Sequence, residues 1–525
     1  PEEQFLRARN FAQSKFKQQG SFQFVIPKVR PTRLRIGYFS ADFHDHATMF
    51  LMAGLLREHN ARQFEVFAYG YGPGKTGAWR QKAERYVHHF YDVKDQSDLQ
   101  IVELARSHGL DIAIDLKGYT QNSRSTIFQY RLAPIQINYL GYPGSMGADF
   151  IDYIIADPTV IPDDQRQFYS EKVIYLPHSY QPNDNARPIA QTSTKREDFG
   201  LPAGAFVFCC FNNNYKISPR EFDIWMRLLT KVEGSVLWLL KSNQWAEQNL
   251  RQEAAKRGID PLRLVFAERA THSEHLARHK HADLFLDTFN YNAHTTASDA
   301  LWAGLPVVTK QGKQFAARVG ASLLKAVGLP ELITDNEAQY EALILELANN
   351  PAKLAAIKDK LRVNRLTAPL FDTKRYARNF ERGLQKAYER YFSLKQPHDI
   401  SVCETIMDAE PTKEQIDALV ALYNSKRFKE MRDRASELVK EFPRAFVVWN
   451  MLGVSHQTLG EIEQAELAFR KAIEINQNFH EAHYNLGVVL RAQGKLNEAI
   501  TAYDQAISLQ PDYTAAFYNM GNALR

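Results

Sequence analysis

Through the first three quarters of the chain, short apolar runs alternate with longer amphipathic stretches. A short apolar run bounded by Gly, Pro, Asn or Asp reads as a buried strand, and apolar positions recurring every three or four residues read as a helix. The pattern predicts strands at 34–39, 64–69, 111–116, 136–140 and 172–176, and a second series at 206–211, 235–240, 263–266, 284–287 and 306–309. Strand–helix alternation predicts mostly parallel sheets. Two series predict two doubly wound domains in tandem, with ligands bound in the cleft between the carboxyl ends of their strands. Residues 177–197, rich in Pro, Asn, Asp, Ser and Thr, read as the interdomain linker. Residues 344–393 read as helical, and the apolar face carrying Tyr376, Phe380, Leu384 and Ala387 is expected to pack across the domains.

Beyond residue 400 the period changes. Gly453, Gly487 and Gly521 are 34 residues apart, as are Gly460/Gly494, Ala465/Ala499, Ala468/Ala502, Phe469/Tyr503, Ala472/Ala506 and Tyr484/Tyr518. A period of about 34 with small and aromatic residues at fixed places is the tetratricopeptide signature of paired helices. Residues 412–443 follow the frame weakly: Pro443 aligns with Pro511, but Lys426 replaces the turn glycine. The last repeat stops after its first helix, and an array needs a capped end, so a continuing chain or a covering partner is expected there. The organisation expected is a helical segment at 1–33, Rossmann-like halves at 34–195 and 196–395, and repeats at 405–525, the last incomplete.

Composition narrows the function classes. The chain has 525 residues and a net charge of +5, with 45% hydrophobic and 24% charged residues, ordinary for a folded globular protein. Residues 1–400 carry +9 and residues 401–525 carry −4. The basic part suits an anionic substrate, and the acidic repeats suit protein docking rather than nucleic acid. No apolar run approaches the roughly 18 residues of a membrane span. Three cysteines, Cys209, Cys210 and Cys403, exclude a disulfide framework and a structural zinc module and point to a reducing, cytoplasmic setting. The N-terminus has no signal-peptide pattern and no initiator Met, so the chain is expected to begin within, or after processing of, a longer product.

Four segments carry candidate chemistry, each after a predicted strand. The first is 287–299. Thr296 and Asp299 have capping-box spacing, and free amides at the helix start, with the hydroxyls of Thr295 and Thr296 and with His294 beside them, form a candidate phosphate site. The second is 209–219, where three consecutive Asn precede Lys216, a candidate counter-charge for a phosphate. In the third, 268–278, His272, His275 and Arg278 share one helical edge. Zinc is disfavoured there because no third ligand is near. The fourth is 40–48, where Asp42 and His46 are candidate general bases. The glycine-rich segment 70–77 is one residue off P-loop spacing and follows the second strand, so it reads as a plain loop. No D-x-D triplet occurs.

The motifs Phe-Asn-Asn-Asn-Tyr-Lys-Ile at 211–217, His-Thr-Thr-Ala-Ser-Asp-Ala-Leu-Trp-Ala-Gly at 294–304, Ala-Pro-Ile-Gln at 133–136, Leu-Gly-Tyr-Pro-Gly at 140–144 and Ala-Pro-Leu-Phe-Asp-Thr at 368–373 resemble the catalytic region of O-linked N-acetylglucosamine transferases and their SPINDLY-type relatives. The resemblance covers roughly residues 33–395. It implies a GT-B glycosyltransferase with no metal or other cofactor, which inverts the sugar carbon while moving N-acetylglucosamine from UDP to Ser or Thr hydroxyls of proteins. On it, Lys216 is the diphosphate lysine, Thr295 and Thr296 bind phosphate, Asp299 binds ribose, His275 packs on uracil, and the Ala270 backbone reads the base. Gly141 and His294 lie near the sugar, while Asp42 and His46 serve as base or proton relay. Asn213, His272 and Arg278 join the donor site. His272 stands where the family usually has Lys, Asn213 where it has Gln, and Tyr291 where it has a Cys lining the N-acetyl pocket. The repeats follow the catalytic region instead of preceding it. A SPINDLY-like fucosyltransferase using GDP-fucose and an inactive transferase on a repeat scaffold are the alternatives.

Overall fold

The computed structural model describes residues 1–16, 22, 24–72, 77–404 and 411–524, and divides into a unit spanning Pro1–Val402 and a unit spanning Cys403–Arg525. The first unit holds two wholly parallel sheets. Strands β1 (Leu34–Ser40), β2 (Phe64–Gly70), β3 (His89–Asp92), β4 (Ile112–Asp115), β5 (Ile135–Asn138), β6 (Tyr153–Ala156) and β7 (Lys172–Tyr175) belong to one. Strands β8 (Val207–Cys210), β9 (Val236–Leu240), β10 (Leu264–Ala267), β11 (Leu284–Leu286), β12 (Val307–Lys310) and β13 (Ile333–Thr334) form the other. The second sheet runs β10-β9-β8-β11-β12-β13, the doubly wound order, which reverses between β8 and β11. The first sheet has the same core order, reversing between β1 and β4. The predicted tandem of Rossmann-like halves followed by helical repeats is the observed architecture.

Strand–helix alternation weakens in the far half of the first sheet. From β4 to β7 the connections are 3₁₀ turns and irregular loops instead of helices, which is why β6 escaped the alternation rule. Strand β3 escaped because it is an edge strand, partly exposed and carrying His89 and Asp92. After the second sheet the helix Thr373–Phe392 returns to the first half, where Ile400–Ser401 adds a short strand, β14, beside β7. The apolar face predicted for this helix is buried through Tyr376, Phe380, Leu384 and Ala387. A Cβ on its Gly383 would approach the Ile174 side chain to 2.7 Å, so only glycine allows this contact. The helix Glu2–Lys15 packs on the loop after β5, where a Cβ on Gly147 would come within 2.5 Å of the Arg9 nitrogen. Residues 73–76 of the glycine-rich segment lie outside the described residues. Gly70 closes β2 and Gly77 caps the helix Ala78–Tyr86.

The second unit is a row of antiparallel helix pairs: Lys413–Asn424 with Phe428–Glu441, Phe446–Thr458 with Ile462–Ile475, His480–Ala492 with Leu496–Leu509, and then Thr514–Ala523. At the turn of the first pair Lys426 takes a left-handed φ of 57°, matching 79° at Gly460 and 76° at Gly494. The weak repeat is therefore a true repeat, with lysine forced into the glycine conformation. The repeating Gly and aromatic residues are partners. A Cβ on Gly453 would meet the Phe469 ring at 2.5 Å, and one on Gly487 would meet the Tyr503 ring at 2.5 Å. Gly487→Ala should cost about 1–3 kcal/mol through overpacking. Gly521→Ala, with nothing within 4 Å of the added carbon, should stay within about 0.5 kcal/mol of the parent or gain slightly from helix propensity. Urea titration of the full chain followed by helical circular dichroism distinguishes the two.

Candidate functional site

In the second half the site forms where β8 and β11 part. The loop after β11 is built on Asp287, which is fully buried. Its Oδ1 accepts the amides of Thr288 (2.8 Å) and Ala293 (2.6 Å), and its Oδ2 accepts the Thr309 hydroxyl at 2.6 Å. Lys216, at the end of the short turn Asn214–Lys216, donates to the Asn292 carbonyl at 2.9 Å and lies 4.1 Å over the Tyr291 ring. That ring stacks on His294 at 4.7 Å. Burial pushes the Asp287 carboxyl up and pulls the Lys216 ammonium down, and their mutual attraction offsets part of each shift. His294 donates from Nε2 to the Ala316 carbonyl at 3.1 Å, and burial with Lys216 nearby pulls its pKa down to about 3, so the ring is neutral near pH 7.

The helix after this loop is Thr295–Trp302, starting earlier than its apolar part suggests, and the capping box expected from Thr296 and Asp299 does not form. Both side chains have other partners. Thr296 donates its hydroxyl to Asn212 Oδ1 at 2.5 Å, and the Asn212 amide donates to Thr288 Oγ1 at 2.9 Å, tying the two switch-point loops together. Asp299 is buried against Arg187, with Nη1 to Oδ1 at 2.6 Å, and His272 Nε2 lies 3.4 Å from the same oxygen. The hydrogen bond from His272 and the Arg187 guanidinium hold its carboxyl well below the usual range against the opposing effect of burial. His272 also stacks on Phe50 of the first half at 3.9 Å.

A capping box does form one helix earlier, between Thr271 and Glu274 at the start of His272–Arg278. His275 and Arg278 are hydrogen-bonded along the expected edge, and the Arg278 guanidinium lies 4.5 Å over the Phe211 ring. Burial pulls His275 well down and Arg278 down to about 10. Ala270 and Asn213 are exposed on neighbouring loops of the same sheet edge. Among the described residues no three His, Cys, Asp or Glu side chains are grouped to hold a metal ion.

In the first half the site forms where β1 and β4 part. His46 caps the helix Ala47–Glu58, its Nδ1 accepting the Thr48 amide at 3.1 Å. The resting ring therefore carries its proton on Nε2, and burial pulls its pKa down. Asp42 Oδ2 accepts from Lys117 Nζ at 2.7 Å and from the Thr48 hydroxyl at 3.1 Å, and the unprotonated His46 Nδ1 lies 3.4 Å from the same oxygen. Gly141 lies in the neighbouring loop, where a Cβ would sit 2.1 Å from the Leu116 carbonyl. The close approach of the loops after β4 and β5 thus requires glycine.

The segment 177–197 is the main departure from expectation. It is not a solvated linker. Tyr180, Gln181, Asn183, Asp184 and Arg187 are buried, and the segment is fastened to both halves. Asp184 pairs with Arg57 at 2.9 Å, Gln181 donates to Ser298 Oγ at 2.6 Å, and Trp302 donates to the Arg187 carbonyl at 3.2 Å. Its polar composition mimics a loop, but several of its polar groups pair within the seam, while Gln181 Oε1, both amide atoms of Asn183 and Arg187 Nη2 are buried without a hydrogen-bond partner among the described residues. Lys117, Arg187, Asn212 and Asp287 were not among the candidates. For Lys117 and Asp287 the available signal was a charged residue at the end of a buried strand beside a switch point. Lys117→Met leaves a buried carboxylate unpaired and should cost about 3–5 kcal/mol. Asp42→Asn combined with Lys117→Met should cost less than the sum of the two single changes, as read by urea titration.

The sequence profile of glycosyl transferase family 41 matches residues 12–191 and 183–380, and tetratricopeptide profiles match 447–479, 468–501 and 489–524. Over 382 residues the chain is 39% identical to the probable UDP-N-acetylglucosamine--peptide N-acetylglucosaminyltransferase SEC of Arabidopsis thaliana, covering 72% of this chain and 39% of the relative. It is 31% identical over 373 residues to the probable SPINDLY enzyme of Oryza sativa subsp. japonica, covering 69% and 39%. It is 29% identical over 473 residues to the UDP-N-acetylglucosamine--peptide N-acetylglucosaminyltransferase of Caenorhabditis elegans, covering 69% and 41%. A lysine-to-methionine mutant of the Thermobaculum terrenum O-GlcNAc transferase has a similar structure, with a TM-score of 0.69 at 25% identity over 74% of each chain. The chain spans about two fifths of the length of the curated relatives it matches.

Proposed function

The chain belongs to glycosyl transferase family 41, and on that premise we propose that it transfers N-acetylglucosamine from UDP-N-acetylglucosamine to Ser or Thr hydroxyls of proteins, with inversion and without a metal. The observation that carries this reading is the pairing of two switch-point sites. A half-buried lysine with hydroxyls and helix amides lies at the switch point of one half and a carboxylate–imidazole pair at that of the other, and Phe50 of the first half stacks on His272 of the second. The acceptor oxygen attacks the anomeric carbon, the bond from that carbon to the diphosphate oxygen breaks, and UDP leaves. The hydroxyl proton passes to the Asp42–His46 pair. Lys216, Thr295 and Thr296 stabilise the charge that develops on the diphosphate. Asp299 takes the ribose, while His275 and the Ala270 backbone take the base, with Asn213, His272 and Arg278 around them. Gly141, Tyr291 and His294 surround the sugar. The acidic repeats dock the protein acceptor, and the scarcity of cysteine suits a cytoplasmic setting. No helix among the described residues is long and apolar enough to cross a membrane.

A second donor is worth testing because Tyr291, whose ring lies under Lys216, stands by resemblance where the family has an N-acetyl pocket Cys, and SPINDLY-type relatives match the same region. Incubating the protein with radiolabelled UDP- and GDP-sugars and mixed acceptor proteins should label Ser or Thr from UDP-N-acetylglucosamine. Labelling from GDP-fucose alone would reverse the donor assignment, and no transfer from any nucleotide sugar would leave the inactive-scaffold reading. UDP should raise the melting temperature, and Lys216→Ala should weaken UDP binding about 10- to 100-fold, the range for a lost charge-assisted contact.

The sign of the pH dependence follows from burial. Lys216 is depressed, so its charge is lost at lower pH than for an exposed lysine. UDP affinity should therefore be highest at neutral pH and fall as the solution becomes alkaline, with proton uptake on binding along that limb. Calorimetry in buffers of different ionisation enthalpy reads both.

A further inference from the structure

Arg187 lies in the segment between the two halves, outside every motif that pointed to the donor. Its side chain is fully buried and pairs with Asp299, itself 5% exposed, at 2.6 Å through Nη1. Its Nε donates to the Asp184 carbonyl at 3.2 Å. Its remaining nitrogen, Nη2, is buried without a hydrogen-bond partner among the described residues. A buried guanidinium N–H with no acceptor is costly and calls for an oxygen that is not part of the fold. Both contacts to Asp299 fall on Oδ1, from Arg187 and from His272.

We propose that Arg187 is a specificity residue for the donor ribose: Nη1 holds Asp299 by Oδ1 so that Oδ2 is offered to a ribose hydroxyl, while Nη2 supplies a donor to the same sugar. This rests on the UDP-sugar reading above and assigns a residue to it from outside the nucleotide-binding half. The forked guanidinium suits the task because one planar group donates in two fixed directions, which an ammonium does not. The carrying segment is fastened to both halves, through Gln181 to Ser298, through Asp184 to Arg57, and through the Asn185 amide to Thr373 Oγ1 at 3.1 Å. Ribose recognition is thereby tied to the seam between the domains.

The test compares UDP with its 2′-deoxy and 3′-deoxy analogues by calorimetry on the full chain. The parent should prefer UDP to at least one analogue by about tenfold or more, the range of a hydrogen bond to a charged group. Arg187→Met should bring that preference to within about twofold, and Arg187→Lys, which keeps the charge and loses the fork, should retain only part of it. A merely structural role would lower the melting temperature and leave the ratio untouched. A folded Arg187→Met or Arg187→Lys protein with the parent ratio overturns the proposal. If Arg187→Met does not fold, Arg187→Lys alone decides by the same ratio. A parent that binds UDP and both analogues equally overturns ribose recognition at this place and leaves the donor reading standing. A parent that binds no UDP sinks the donor reading itself and the proposal with it.

Discussion

Two parallel sheets make one cleft only if something fixes them carboxyl edge to carboxyl edge, and here the helix Thr373–Phe392 meets that constraint. It starts from the second half and ends against the first. Tyr376 meets the Tyr139 hydroxyl at 2.5 Å, and Glu381 accepts from the buried His59 ring at 2.9 Å and from the Asn60 amide at 2.8 Å. Thr373 donates to the Asn183 carbonyl at 2.9 Å, gripping the crossing segment at the same time. An apolar stripe alone would slide along such a seam. Polar pairs buried inside it specify a single register, because each misplacement strands a desolvated donor or acceptor.

Within each half the loops are organised by aspartates at the ends of buried strands. Asp287 does so after β11. Asp115, at the end of β4, accepts the amides of Lys117 and Gly118 and the Ser125 hydroxyl. Asp157, just after β6, accepts the amides of Thr159, Val160 and Tyr180 and the Ser322 hydroxyl. Ser322 belongs to the second half, so Asp157 also spans the seam. All three are fully buried and pushed up by burial. Each takes the place of water for a loop whose amides point inward.

Much of this was legible in the sequence. Apolar runs located ten of the fourteen strands among the described residues, the 34-residue period located the repeats, and the switch-point rule pointed to the loops holding Asp42, His46, Lys216 and His294. The losses have physical causes. Strand β3 is polar because it is an edge, and β13 and β14 are only two residues long. The crossing segment misled because composition reports polarity and not whether polar groups find one another. Arg187 was invisible because a buried cation is recognised by its partner in space, here Asp299, which is far from it in sequence. The capping box failed because Thr296 and Asp299 are each claimed by another loop.

The left-handed Lys426 has a consequence for how the repeat array comes apart. A non-glycine residue in that conformation carries roughly 1 kcal/mol of strain, which the turns at Gly460 and Gly494 do not. In a stack whose stability is a sum over neighbouring pairs, the pair joined at Lys426 begins with a deficit. Local opening follows local stability, so this turn holds its helix pair together less firmly, by about that amount, than an otherwise equal glycine turn would.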